Sequence, residues 1–119
     1  MANEDMDRGV VVPILEERAR IAEVWPAEES MPDGTRHGGG HLVQLAHARQ
    51  MVEIAARERR VTHALVFEEE VLEVLTEEDP EKLRLELVQV AACCVRWIQD
   101  LEARGAQQAR AAAVAGGAR

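Results

Sequence analysis

Apolar residues recur along this chain at helical spacing, and no segment alternates as a strand would require. In "ILEERARIAEVW" the positions Ile14, Arg18, Ile21 and Trp25 fall on one helical side, with Pro13 suited to the first turn and Pro26 ending the run. Residues 1–12 ahead of it carry no such stripe and are expected to form a flexible leader. The stretch 26–40, "PAEESMPDGTRHGGG", is expected to be loop, since it combines two prolines, an Asp-Gly turn and three consecutive glycines. A second helix is predicted from about His41 to Arg59, with Leu42, Leu45, Ala46, Met51, Val52 and Ala55 among its apolar positions. "RERRV" closes it with positive charge, which suits the negative end of the helix dipole. Thr62 is placed to cap a third helix over 63–76. After the break at "EEDP", Asp79 and Pro80 open a fourth helix running to about Arg104. The Ala/Gly-rich tail 105–119 lacks an apolar stripe and is expected to be disordered.

These elements predict an all-α chain: one four-helix domain over 13–104, with the last two helices antiparallel because their connection is short. On the fourth helix, Leu83, Leu87, Val90, Ala91, Cys94, Ile98 and Leu101 make one apolar face, which Val88, Ala92 and Val95 widen. So broad an arc exceeds what three short helices can cover. It predicts completion of the bundle by oligomerisation, as a homodimer or homotetramer.

Composition narrows the possibilities. The chain has 119 residues and a net charge of −8, which opposes binding to a phosphate backbone. Its aromatic residues are Trp25, Phe67 and Trp97, too few to stack a run of bases. No nucleic-acid partner is therefore expected. No apolar run approaches membrane-spanning length and the acidic "MANEDMDRG" is not a basic signal region, so the expectation is a cytoplasmic protein without a membrane partner. Cys93 and Cys94 are adjacent on a helix, lack CxxC spacing and are read as small apolar residues of a reducing compartment.

One group of residues does not fit a simple burial pattern. Glu70 adjoins the apolar stripe formed by Phe67, Val71 and Val74; Glu73 lies about 60° from it around the helix and Glu69 about 40° beyond. Glu68 points elsewhere, to solvent. On the fourth helix a narrow polar strip carries Glu86, Gln89, Cys93, Arg96 and Asp100, so an antiparallel hairpin sets Glu70 and Glu73 opposite Glu86 and Gln89. A solvated face accounts well for Glu68, Glu77, Glu78 and Glu81. Glu70 has no lysine four residues away to pair with, and Glu86 has none four residues after it. Converging carboxylates repel unless they are protonated or share a cation, and an all-oxygen donor set favours Mg²⁺, Mn²⁺ or Ca²⁺ over zinc.

The spacing is Glu69-Glu70-x-x-Glu73, twelve residues, then Glu86-x-x-Gln89. It resembles the ExxE…ExxD signature of the MazG-like all-α nucleoside triphosphate pyrophosphohydrolases. The surrounding "LEERARIAEVW…MPDGT" and "FEEEVLEVLTEEDPEKLRLELVQVAACCVRWIQDLE" are similar to small actinobacterial and phage members of that group, over roughly residues 14 to 103. The resemblance implies that Glu70, Glu73 and Glu86 bind Mg²⁺ (or Mn²⁺) and that Glu69 orients the attacking water. It implies a nucleoside triphosphate substrate, split by water into a monophosphate and pyrophosphate. Gln89 departs from the signature, since an amide stands where the pattern has aspartate. It would be a weak ligand, or a partner of metal-bound water. The alternative that Gln89 favours is a non-catalytic helical oligomer of the same type, binding a nucleotide or a protein partner.

Other candidates are weaker. His37 and His41 bracket three glycines but have no third ligand nearby for a metal. "DGTRHGGGH" lacks the GK[ST] ending of a P-loop, although Arg36 could reach a phosphate. Trp25 could stack on a base, but its place at the end of an amphipathic helix is more often a core position.

Overall fold

A computed structural model describes residues 2–26 and 30–117, with side chains from Asp7 onward. Four helices follow in order: α1 (Ala2–Val24), α2 (Gly40–Arg57), α3 (His63–Thr76) and α4 (Pro80–Gly117). No strand occurs among the described residues, as the periodicity predicts. Residues 27–29 of the expected loop lie outside the described residues, as do Met1 and the last two residues of the tail; 30–39 form no regular structure. No helix is long and apolar enough to cross a membrane among the described residues.

The chain divides into two compact units, one of residues 30–94 and one joining 1–29 to 95–119, so that α4 contributes to both. In the first, α2 packs on α3 around a buried cluster of Leu45, Ala48 and Leu72. Leu45, Ala48, half-buried Val52 and buried Ala55 follow one another at helical spacing, and two alanines among them let the helices approach closely. Ala46 and Leu42, expected inward, are exposed, while Ala48 takes an inward place that was not expected. On α3 the buried residues are Leu72 and Thr76, whereas Phe67, Val71 and Val74 are only half-buried. This helix is apolar around much of its circumference, so periodicity alone does not decide which side meets α2. Thr76 is tolerated inside because its hydroxyl donates to the carbonyls of Leu72 (2.9 Å) and Glu73 (3.2 Å).

The helix ends are built locally. Thr62 Oγ1 accepts the Leu65 N–H at 3.2 Å, which makes it the N-cap expected of it. At the end of α2, Arg60 N–H donates to Ala55 O and Arg59 N–H to Ala56 O, the two bonds of a Schellman turn. Arg59 occupies its left-handed position at φ 56°, a place usually given to glycine. Pro80 opens α4, and the Asp79 carbonyl accepts the first helical N–H, from Leu83.

Two stretches differ from expectation. The segment 1–12, expected as a flexible leader, is helical from Ala2, and Pro13 sits inside α1 rather than at its start. Val10 is buried, and Gln99 Nε2 donates to Asp7 Oδ1 at 2.7 Å within the second unit. The tail expected to be disordered continues α4 as helix to Gly117. Its run of alanines has the highest helix propensity of any residue type, so no apolar stripe is needed to explain the extension. Trp25 is 60% exposed and is not a core residue. On α4 only Leu83 is buried, while Leu85, Leu87, Val88 and Leu101 are all at least half exposed.

Candidate metal centre

The short link of residues 77–79 between α3 and α4 brings two polar strips face to face. Glu70 and Glu73 come from α3, Glu86 from α4, and one carboxylate oxygen from each lies within 4.8 Å of the others. The register is antiparallel: Glu73 meets Glu86, while Glu70 meets Gln89 one turn away in opposite senses along the two helices. The sequence places these four side chains together, and the structure does the same. With its NH₂ turned toward the carboxylates, the Gln89 amide donates to Glu70 Oε2 (3.2 Å) and Glu86 Oε2 (3.3 Å). Turned by half a rotation, it presents a carbonyl oxygen at that point instead.

Glu69 stands beside this group on α3, next to Glu73. Because Leu72 of α3 packs with Leu45 and Ala48 of α2, the Glu69–Glu73 flank comes close to α2, and Arg49 reaches it. Arg49 Nη2 lies 3.4 Å from Glu73 Oε1. No sequence signal pointed to Arg49, since it is 24 residues away from Glu73 and its role follows from which side of α3 meets α2.

Electrostatics reflect the crowding. Partial burial is the first cause that pushes the Glu86 carboxyl up to about 7, followed by its hydrogen bond to Glu73 and the charges of Glu73, Glu70 and Glu77. Glu70 is also raised, by desolvation and then by the Glu73 and Glu69 charges. Glu69 is raised by desolvation and by Glu73, with Arg49 acting in the opposite direction. The group therefore keeps a proton on Glu86 to higher pH than an ordinary carboxylate would.

A hard divalent cation suits this donor set, because every side-chain ligand available is an oxygen and three are carboxylates.

A second polar feature lies at the start of α2. Arg36 N–H donates to Leu75 O (2.9 Å) and His37 N–H to Glu78 Oε1 (2.8 Å), fastening this part of the loop to the end of α3 and the turn after it. Arg36, His37, the three glycines, His41, Gln44 and Glu78 line a cavity of about 560 Å³. Gly39, at φ 69°, is the N-cap of α2 and leaves it without a side-chain cap. His37 and His41 are not drawn into the carboxylate group. Cys93 and Cys94 are half-buried rather than fully buried.

Fold and site together define an all-α chain with a carboxylate cluster across a helical hairpin. Comparison with family models, with curated proteins and with solved structures gives no match.

Proposed function

We propose that this chain is a Mg²⁺- or Mn²⁺-dependent nucleoside triphosphate pyrophosphohydrolase on a MazG-like scaffold. The observation that carries this is the convergence of Glu70, Glu73 and Glu86 from two antiparallel helices, with the Gln89 amide at the same point. Glu70, Glu73 and Glu86 would hold the cation, which when bound supplies positive charge to the triphosphate. Gln89 would add a neutral carbonyl ligand or hold a water. Glu69 would orient the attacking water and take its proton. The water oxygen bonds to the α-phosphorus, the bond from that phosphorus to the bridging oxygen breaks, and pyrophosphate leaves. The proton passes from Glu69 to solvent.

Oligomerisation, as a homodimer or homotetramer, belongs to the same proposal. Its support is the apolar arc of α4, on which Leu87 is 50% and Val88 53% exposed in one chain.

Gln89 itself favours a second reading, a helical oligomer that binds a nucleotide or a protein partner without turning substrate over. A neutral amide in place of a carboxylate weakens the hold on a cation. Pyrophosphate release from the common nucleoside triphosphates, measured over a Mg²⁺ series for the wild type and Gln89→Asp, separates the two. An enzyme limited by metal occupancy reaches half-maximal turnover at a Mg²⁺ concentration about tenfold lower in the variant, for roughly 1.4 kcal/mol. Activity in Gln89→Asp alone identifies a scaffold that lost turnover through this one ligand. A folded variant and a wild type that are both inactive on every triphosphate overturn the hydrolase assignment.

A further inference from the structure

Arg49 stands at the carboxylate cluster without any part in the roles assigned above. Its backbone is fixed next to Ala48, inside the α2–α3 core, while its guanidinium extends 3.4 Å from Glu73 Oε1. The two ends of this ion pair differ: the Glu73 side chain is 17% exposed and that of Arg49 is 56% exposed. The anion is thus held in place and the cation faces water. An ion pair so open to solvent is weak and readily exchanged. Arg57, two turns further along α2, pairs instead with Glu53 of its own helix at 2.9 Å.

We infer that Arg49 is an exchangeable counter-ion: it holds Glu73 while the carboxylates lack a metal, and moves to the polyphosphate of the nucleotide once a divalent cation takes Glu73. This rests on the pyrophosphohydrolase assignment and specifies how that site changes partners. A divalent cation at the carboxylates repels the nearby guanidinium and satisfies Glu73 better than a solvent-exposed arginine does. The released guanidinium presents five N–H donors in a planar fork that matches phosphate oxygens, and it leaves from a fixed base at the edge of the site. The same residue therefore opposes metal binding in the absence of nucleotide and favours the metal–polyphosphate complex.

Those two effects have opposite signs, and calorimetric titration reads them separately. The probes are Mg²⁺ alone, and inorganic tripolyphosphate in excess Mg²⁺, against the wild type, Arg49→Met, Arg49→Lys and the control Arg57→Met. Arg49→Met is expected to bind Mg²⁺ alone about threefold more tightly and Mg-tripolyphosphate about tenfold more weakly, since a charge-assisted phosphate contact is lost. Arg49→Lys keeps the charge without the fork and should fall between the two, and Arg57→Met should match the wild type. Wild-type binding of both probes with Arg49→Met unchanged, or shifted in one direction for both, overturns the exchange alone. An equal shift in Arg57→Met does the same. A wild type that binds neither probe removes the metal site itself and this inference with it.

Discussion

Glu86→Gln tests whether the carboxylates crowd one another as the geometry indicates. The Glu86 carboxyl is moved from 4.5 to about 7 by burial and by Glu73, Glu70 and Glu77. Between those two values the folded chain keeps a proton that the unfolded chain has released, so stability falls as pH rises through the window. Taken in full, a rise from 4.5 to about 7 corresponds to roughly 3 kcal/mol above pH 7. Glu86 is only half-buried, and solvent screening brings the expected effect to about 1 kcal/mol. Glutamine has the same shape, carries no charge at any pH and can donate to Glu73 as the protonated acid does.

Urea unfolding from pH 5 to 8 in the presence of a chelator provides the assay. The two proteins should agree near pH 5, and the variant should be more stable by about 1 kcal/mol at pH 8, near 4 °C in Tm. His37, His41, His47 and His63 are common to both proteins, so whatever they contribute largely cancels in the difference. Millimolar Mg²⁺ should restore the wild type at pH 8 and do much less for Glu86→Gln, because the variant has one carboxylate fewer to bind the cation and less repulsion for it to relieve. A stability difference that stays constant from pH 5 to 8 would refute the crowding and leave an ordinary solvated surface.

Three further outcomes follow from separate parts of the molecule. If α4 forms the subunit interface, Leu87→Lys should convert the assembly to a species of about 13 kDa in sedimentation, and a wild type already of that size would contradict the interface. Arg59→Gly should raise stability by about 0.5–1 kcal/mol in urea melts, because glycine accepts the φ of 56° without the cost of a Cβ. Thr62→Ala should cost about 1 kcal/mol by the same measurement, through loss of the bond from Leu65 N–H.

What the sequence discloses and what it conceals follow from how many solutions each pattern allows. Thr62 followed by an apolar run, and Pro80 after Asp79, each allow one helix start, and α3 and α4 begin where these residues place them. The same turn sets the antiparallel register, which is why the grouping of Glu70, Glu73 and Glu86 with Gln89 was legible. The side of α3 that meets α2 was not, because Leu65, Val66, Phe67, Val71, Leu72, Val74 and Leu75 offer apolar contact in nearly every direction. Only packing selects Leu72, and with it the approach of Arg49. The helical course of residues 2–12 was hidden for another reason. Among its described side chains, from Asp7 onward, only Val10 is buried, and one such position in an acidic segment produces no period to detect.

The amide at Gln89 gains meaning from the charges around it. Glu69, Glu70, Glu73 and Glu86 already place four acids in one group, against which Arg49 sets a single partly solvated cation. A fifth carboxylate at position 89 would increase the repulsion in the metal-free chain and raise the neighbouring pKa values further. Glutamine does the reverse, since its NH₂ can donate to Glu70 and Glu86 at 3.2 and 3.3 Å. When a cation replaces the shared proton, half a rotation turns the carbonyl oxygen toward the same point. In the proposed site the amide thus trades strength of metal binding for stability without metal. Gln89→Asp should therefore melt lower than the wild type in a chelator and higher than it in millimolar Mg²⁺, a crossing that a purely structural glutamine would not produce.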